Sequence, residues 1–185
     1  NNCTLDAVEL LGHDKSRAVV VIDDSFDHDA LEQMDAKGAR GVRFNAVSGN
    51  GTPLDQLENL AANVAALGWH IQFYTHGEQI AELAPLIKKL PVTVVLDHMA
   101  GVKSDRGVDS PEFRAAAGLM QSGQAYVKIS GYRSSVKGFP YDDVAALARG
   151  YIDANPDRCV WGSDWPHPSL FGDTHMPDDG QLFDM

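Results

Sequence analysis

Cys159-Val-Trp-Gly-Ser-Asp-Trp-Pro-His-Pro168 opens as a short apolar strand and ends in a carboxylate, two indoles and an imidazole, closed off by prolines. An apolar strand interior does not tolerate an unpaired carboxylate, and a solvated loop has no need of Trp161 and Trp165. The stretch therefore reads as the carboxyl end of a strand, with Asp164 open to a ligand on one side and backed by packed protein on the other. The alternative is an Asp capping a turn. Perturbed carboxylates concentrate at functional sites, which makes Asp164 the first candidate for chemistry.

Upstream, the same arrangement recurs. Apolar runs predict strands over 18–22, 41–45, 70–76, 92–98 and 125–130, with the last at 159–164. Between them, apolar residues at helical spacing predict helices over 4–11, 29–37, 53–67, 78–90, 111–121 and 141–154, and another begins near Gly180. Thr4 is the expected N-cap of the first, and Gly38 and Gly68 stop two of the others. No pair of strands is joined by a hairpin turn. Strict alternation gives a parallel sheet with helices outside it.

An open doubly wound sheet and a closed (β/α)8 TIM barrel both satisfy that alternation. The first calls for a glycine-rich phosphate loop after a strand; Ser48-Gly-Asn-Gly51 lacks the fingerprint. Polar residues instead close one strand after another: Asn45, His76, His98, Arg133 and Asp164. That is the pattern of a barrel's active face. The expected fold class is α/β, a (β/α)8 TIM barrel of which the six strands here are roughly the third to the eighth. Residues 1–185 read as a single partial domain cut at both ends, because the chain starts at Asn1 without Met and stops where a helix begins. Such a piece cannot close its barrel, and is expected to be inactive and aggregation-prone in isolation.

Composition excludes several classes of function. A net charge of −11 argues against nucleic acid or an anionic membrane surface as partner. No apolar run approaches the roughly 18 residues that span a bilayer. A small anionic substrate is still allowed, since a few local arginines overrule the global field. Cys3 and Cys159 lack metal-type spacing; Cys159 reads as a small buried apolar residue, in keeping with a reducing, cytoplasmic setting. The sequence does not speak to oligomeric state.

Asp97 and His98 end an otherwise apolar strand, where an imidazole can bind a metal or polarise a carbonyl. In His70-Ile-Gln-Phe-Tyr-Thr-His76, period two puts His70, Gln72, Tyr74 and His76 on one face. His70, at the strand's start, reads as structural; Tyr74 and His76, at its exit, are site candidates. Arg43, inside Gly41-Val-Arg-Phe-Asn45, needs an anion from the protein or from a substrate. Arg133, after Lys128-Ile-Ser-Gly-Tyr132, is a second strand-end cation; two such arginines can hold a carboxylate or steady an oxyanion. Lys128 is expected to point the other way or to pair locally. His167 either contacts substrate or orders the loop after Asp164. His13 and His28 are surface residues, and His175 lies in a loop that shapes the site's surroundings.

Together, Gly41-Val-Arg-Phe-Asn45, Val95-Leu-Asp-His-Met99, Trp161-Gly-Ser-Asp-Trp-Pro-His167 and His175-Met-Pro-Asp-Asp-Gly180 resemble the amidohydrolase-related (amidohydrolase 2) family, and within it the 2-pyrone-4,6-dicarboxylate lactonase branch. The resemblance covers nearly the whole chain in motif order. It implies a lactone hydrolase in which Asp164 is the general base that activates water and His98 helps polarise the carbonyl. Arg43, Arg133 and Tyr74 would hold substrate carboxylates. No cofactor is required in that reading; in metal-using relatives a divalent ion such as zinc would be held by residues matching His76, His98 and Asp164. Two departures stand out. The family's His-x-His pair on its first strand is absent, and Gly49 stands where the branch carries a second arginine. The second departure admits a lactone with one fewer anionic group. A metal-dependent amidohydrolase, a decarboxylase and a small-anion-binding barrel are the competing functions.

Overall fold

The computed structural model describes residues 1–47, 51–168, 170, 172 and 175–184. Helices and strands alternate through the chain: α1 (Asn2–Leu11), β1 (Ala18–Val20), α2 (His28–Ala36), β2 (Ala39–Asn45), α3 (Leu57–Ala65), β3 (His70–Tyr74), α4 (Gly77–Ile87), β4 (Val94–Leu96), α5 (Pro111–Gln121), β5 (Ala125–Ile129), α6 (Ala145–Ala154), β6 (Cys159–Trp161) and α7 (Asp179–Phe183). The six strands form a parallel sheet ordered β1-β2-β3-β4-β5-β6. Alternation in sequence thus becomes neighbour-to-neighbour order in the sheet, the arrangement of a partial TIM barrel.

All of the strands but β2 are shorter at their carboxyl ends than their apolar runs suggest. β4 stops at Leu96 and β6 at Trp161, so His98 and Asp164 lie just past the ladder rather than on it. Three helix starts among the described residues, those of α2, α5 and α7, follow capping side chains. The Asp27 carboxylate accepts from Ala30 N at 2.9 Å, the Ser110 hydroxyl accepts from Phe113 N at 3.3 Å, and Pro111 occupies the first turn of α5, where a missing N–H costs nothing. Thr4 is not the cap of α1. The helix begins two residues earlier, after Asn1, whose amide group is engaged with the backbone of Val21 at 2.7 and 2.9 Å.

Contacts cluster the chain into two compact units, Asn1–Tyr74 with Leu86–Val95, and Thr75–Pro85 with Leu96–Met185. In the first, parallel pairing sets Gly41 opposite His70 and Asn45 opposite Tyr74. A β-carbon on Gly41 would lie 2.6 Å from the His70 ring, so glycine is what lets that imidazole lie across β2. Its core holds Val42, Phe44, Leu60, Val64, Ile71 and Phe73, all essentially buried. The Trp69 indole N–H donates to Asp35 at 2.7 Å, and Arg40 pairs with the same carboxylate.

In the second unit, α5 and α6 pack through Phe113 and Tyr151, whose rings lie 4.4 Å apart. The Tyr151 hydroxyl donates to the Met99 carbonyl at 3.1 Å, tying α6 to the turn after β4. β5 and β6 pair in register, Val127 with Cys159 and Ile129 with Trp161. Cys159 is half-buried rather than enclosed, and burial pushes its thiol up. No described helix is long and apolar enough to cross a membrane.

Candidate active site

The segment after β4 determines where His98 points. His98, Met99, Ala100 and Gly101 take φ of 49°, 53°, 59° and 70°, four consecutive residues in the left-handed region. Each non-glycine residue there costs roughly 1–2 kcal/mol, so surrounding packing must hold the turn. Gly101 does part of this: a β-carbon at that position would come within 2.1 Å of the Thr75 carbonyl oxygen. Ser134 adds a hydrogen bond from its hydroxyl to the His98 carbonyl at 3.1 Å. The imidazole is 4% exposed, and its Nδ1 lies 2.8 Å from the Ser130 hydroxyl.

Asp164 follows β6 in a second left-handed position, with φ 61°. Its Oδ2 accepts from the Tyr132 hydroxyl at 2.6 Å and from Arg133 Nε. Its Oδ1 lies 3.9 Å from His98 Nε2. That is too long for a direct hydrogen bond, yet short enough for one small oxygen to reach both groups. Burial alone would push this carboxyl up; the bonds from Tyr132 and Arg133 and the positive charge of Arg133 outweigh it and hold the group below the ordinary carboxylate value.

Arg133 is fixed as well. It donates through Nη2 to the Pro168 carbonyl at 3.1 Å and stands over the Tyr132 ring. The loop carrying it is anchored by Asp143, whose carboxylate accepts from the hydroxyls of Ser104 and Ser135 and from Val136 N and Lys137 N. Burial opposes ionisation there, but these donors prevail and lower its carboxyl to about 2. His167, also left-handed at φ 55°, is buried. Its ring meets Tyr132 edge-on at 5.4 Å, and its Nε2 lies 3.2 Å from Asp179. It is thereby packed behind Tyr132, in the loop that begins at Asp164.

Of the residues singled out in the sequence, His98, Arg133, Asp164 and His167 are thus brought together in the second unit. Arg43 and Tyr74 belong to the first unit, where the guanidinium stacks over the phenol at 5.6 Å. His76 is exposed. Lys128 pairs with buried Asp97 at 2.7 Å, and its stem crosses Gly162, where a β-carbon would meet Lys128 Cδ at 2.8 Å. The glycine of Trp-Gly-Ser-Asp is there to let the lysine pass. Trp161 and Trp165 differ from expectation: they are 42% and 75% exposed instead of backing Asp164. Gly49 lies outside the described residues.

Tyr132, Ser130 and Asp143 were not anticipated. Period two from Lys128 was a usable signal for Ser130; for Tyr132, in the 3-10 turn past β5, and for Asp143, read as a helix-terminal charge, sequence offered none. A zinc site takes three or four donors. Among the described residues no group of three His, Cys, Asp or Glu side chains converges. His98 and Asp164 together offer two, an incomplete set.

A profile of the amidohydrolase family, Amidohydro_2, matches residues 7–184. The chain belongs to this family. Among characterised amidohydrolases it is 39% identical to a 2-pyrone-4,6-dicarboxylate hydrolase of Comamonas testosteroni, over 100% of this chain and 63% of that protein. It is 35% identical to a 4-sulfomuconolactone hydrolase of Hydrogenophaga intermedia, over 98% and 61%. In structure it matches an Agrobacterium tumefaciens protein with a TM-score of 0.86 and 31% identity, over 98% of this chain and 64% of the other. This amidohydrolase chain therefore spans somewhat under two thirds of the length of those relatives.

Proposed function

We propose that the protein opens a small anionic lactone by hydrolysis, with Asp164 as the base that activates water. The observation that carries this reading is the arrangement of one carboxylate. Oδ2 is occupied by Tyr132 and Arg133, which leaves Oδ1 on the side of His98 Nε2, 3.9 Å away. An oxygen between the two groups meets a proton acceptor on one side and an imidazole on the other.

In the reaction, water attacks the lactone carbonyl carbon and gives a proton to Asp164. His98 donates a hydrogen bond to the carbonyl oxygen as charge grows on it. The bond from that carbon to the ring oxygen then breaks, and the ring oxygen recovers the proton from Asp164. The products are a carboxylic acid, which releases its remaining proton to solvent to become a carboxylate, and a hydroxyl, or its keto tautomer. Arg133 lies beside Asp164 as a cation for a substrate carboxylate, and Arg43 and Tyr74 are proposed for the same duty from the family resemblance. Electrostatics from these groups replace an essential metal in this scheme. Two relatives, named as hydrolases of 2-pyrone-4,6-dicarboxylate and of 4-sulfomuconolactone, support the substrate class.

The test is turnover of a panel of anionic lactones, 2-pyrone-4,6-dicarboxylate among them, by the whole protein that carries this chain, in its wild-type and Asp164→Asn forms. The substitution is expected to lower kcat by about 10²- to 10⁴-fold with little change in KM. An Asn variant that turns over at the wild-type rate, or carbon dioxide release in place of ring opening, would overturn the proposal.

A further inference from the structure

We infer that Ser130 is a positioning residue that fixes the tautomer of His98, keeping the hydrogen on Nε2 and thereby making the imidazole a donor rather than a second base. The inference deepens the lactonase reading and rests on it for its catalytic consequence, though the tautomer itself does not.

Ser130 ends the run of β5 and is 2% exposed. His98 Nδ1, at 2.8 Å, is the one side-chain hydrogen-bond partner its hydroxyl has among the described residues. A 2.8 Å contact between a hydroxyl and a ring nitrogen is satisfied in two ways. Either the hydroxyl donates to a bare Nδ1, and Nε2 carries the hydrogen, or Nδ1–H donates to the hydroxyl oxygen, and Nε2 is bare.

Two independent features select the first. A buried hydroxyl that only accepts leaves its own O–H without a partner, a cost of roughly 1–3 kcal/mol. The other end of the ring faces Asp164 Oδ1 at 3.9 Å. A bare Nε2 would turn its lone pair toward that carboxylate, whereas Nε2–H turns a positive edge toward it. The Ser134 hydroxyl, on the His98 carbonyl, holds the backbone of the same residue, so ring and backbone are both anchored from the segment following β5.

The consequence is a division of labour. Asp164 is the acceptor and His98 the donor, and no proton needs to move between them before a carbonyl oxygen arrives. Without the Ser130 hydroxyl the ring gains access to the Nδ1–H tautomer, which presents a lone pair where the carbonyl oxygen must sit. Triads show that a wrong imidazole tautomer is costly even when geometry survives.

The test reads the ring directly. Protein labelled with ¹⁵N-histidine is examined by long-range ¹H–¹⁵N correlation at neutral pH without substrate, with the His98 signals assigned by their loss in His98→Gln. Wild type is expected to show a bare Nδ1 and a protonated Nε2, and Ser130→Ala a shift toward the other tautomer. Wild type with a protonated Nδ1, in either the neutral or the imidazolium form, would overturn the inference. Kinetics supply the second arm: Ser130→Ala lowers kcat roughly 10- to 100-fold with KM nearly unchanged, and Ser130→Thr, which keeps the hydroxyl, restores the wild-type tautomer. An unchanged kcat in Ser130→Ala overturns the catalytic half. Failure of the lactonase reading shows separately, as no turnover of lactones by the whole wild-type protein when its tautomer is as stated.

Discussion

Tyr132 makes Asp164 a weaker base than its burial would. Its hydroxyl donates to Oδ2 at 2.6 Å, beside Arg133 on the same oxygen, and the two bring the carboxyl below its ordinary value against the upward push of burial. The carboxylate form is therefore populated further into acid than that of a free Asp. Two consequences share one sign. Stability from these bonds is fully present above the ordinary carboxylate range and is lost as pH falls through the lowered native value. The acid limb of kcat/KM likewise lies below that range. Tyr132→Phe removes one donor and so raises the carboxyl. The acid limb of a pH–rate profile is expected to move to higher pH, with the limb of Arg133→Gln moving the same way. An acid limb unmoved in both variants would mean that Asp164 is not the group titrating in the reaction.

At the scale of the element, the turn after β4 decides whether the imidazole reaches its place. Three non-glycine residues in the left-handed region, followed by Gly101 pressed against the Thr75 carbonyl, form a strained segment whose first residue is His98. Gly101→Ala is expected to cost roughly 3 kcal/mol or more, since it adds a backbone clash to an unfavourable φ. Gly107→Ala separates the two effects. Its φ is +71° but nothing lies within 4 Å of the added carbon, so roughly 1–2 kcal/mol is expected. Urea denaturation of both variants measures the difference, and equal losses would mean that contact with Thr75 does not hold the turn.

This turn also marks the boundary of what the sequence reveals. The apolar run ending in Asp-His locates the end of β4 because burial of Val94 and Leu96 leaves no room for polar residues until the strand emerges; the run before Gly-Ser-Asp locates β6 by its β-type residues alone, since Val160 and Trp161 are exposed. The backbone beyond is another matter. Met99 and Ala100 have no preference for positive φ; tertiary packing imposes it, and no local pattern encodes that. The partner of Asp164 was legible only in part. Arg133 could be picked as a strand-end cation, but Tyr132 was hidden beside it, because a tyrosine at a strand exit looks the same whether it packs or donates.

For the molecule as a whole, one surface stands out. β6 is the last strand of the sheet, and Val160 and Trp161 on it are 37% and 42% exposed. A groove of about 340 Å³ runs between β6 and α6, lined by Ile129, Ala148, Ile152, Val160, Trp161 and Phe183. Apolar surface along an edge strand favours pairing with another chain. The net charge of −11 opposes it by mutual repulsion, and salt screens that repulsion, with a Debye length near 10 Å at about 0.1 M falling to about 3 Å at 1 M. The 185-residue chain is therefore expected to self-associate in a concentration-dependent way, more strongly as salt is raised. Val160→Glu places a charge on the exposed strand and adds to the repulsion, and should shift the chain toward monomer. Sedimentation velocity across a range of concentration and salt decides the matter. A species that stays monomeric throughout would show that the charge, not the apolar edge, governs the solution state of the chain; association that weakens with salt would point to attraction between unlike charges instead.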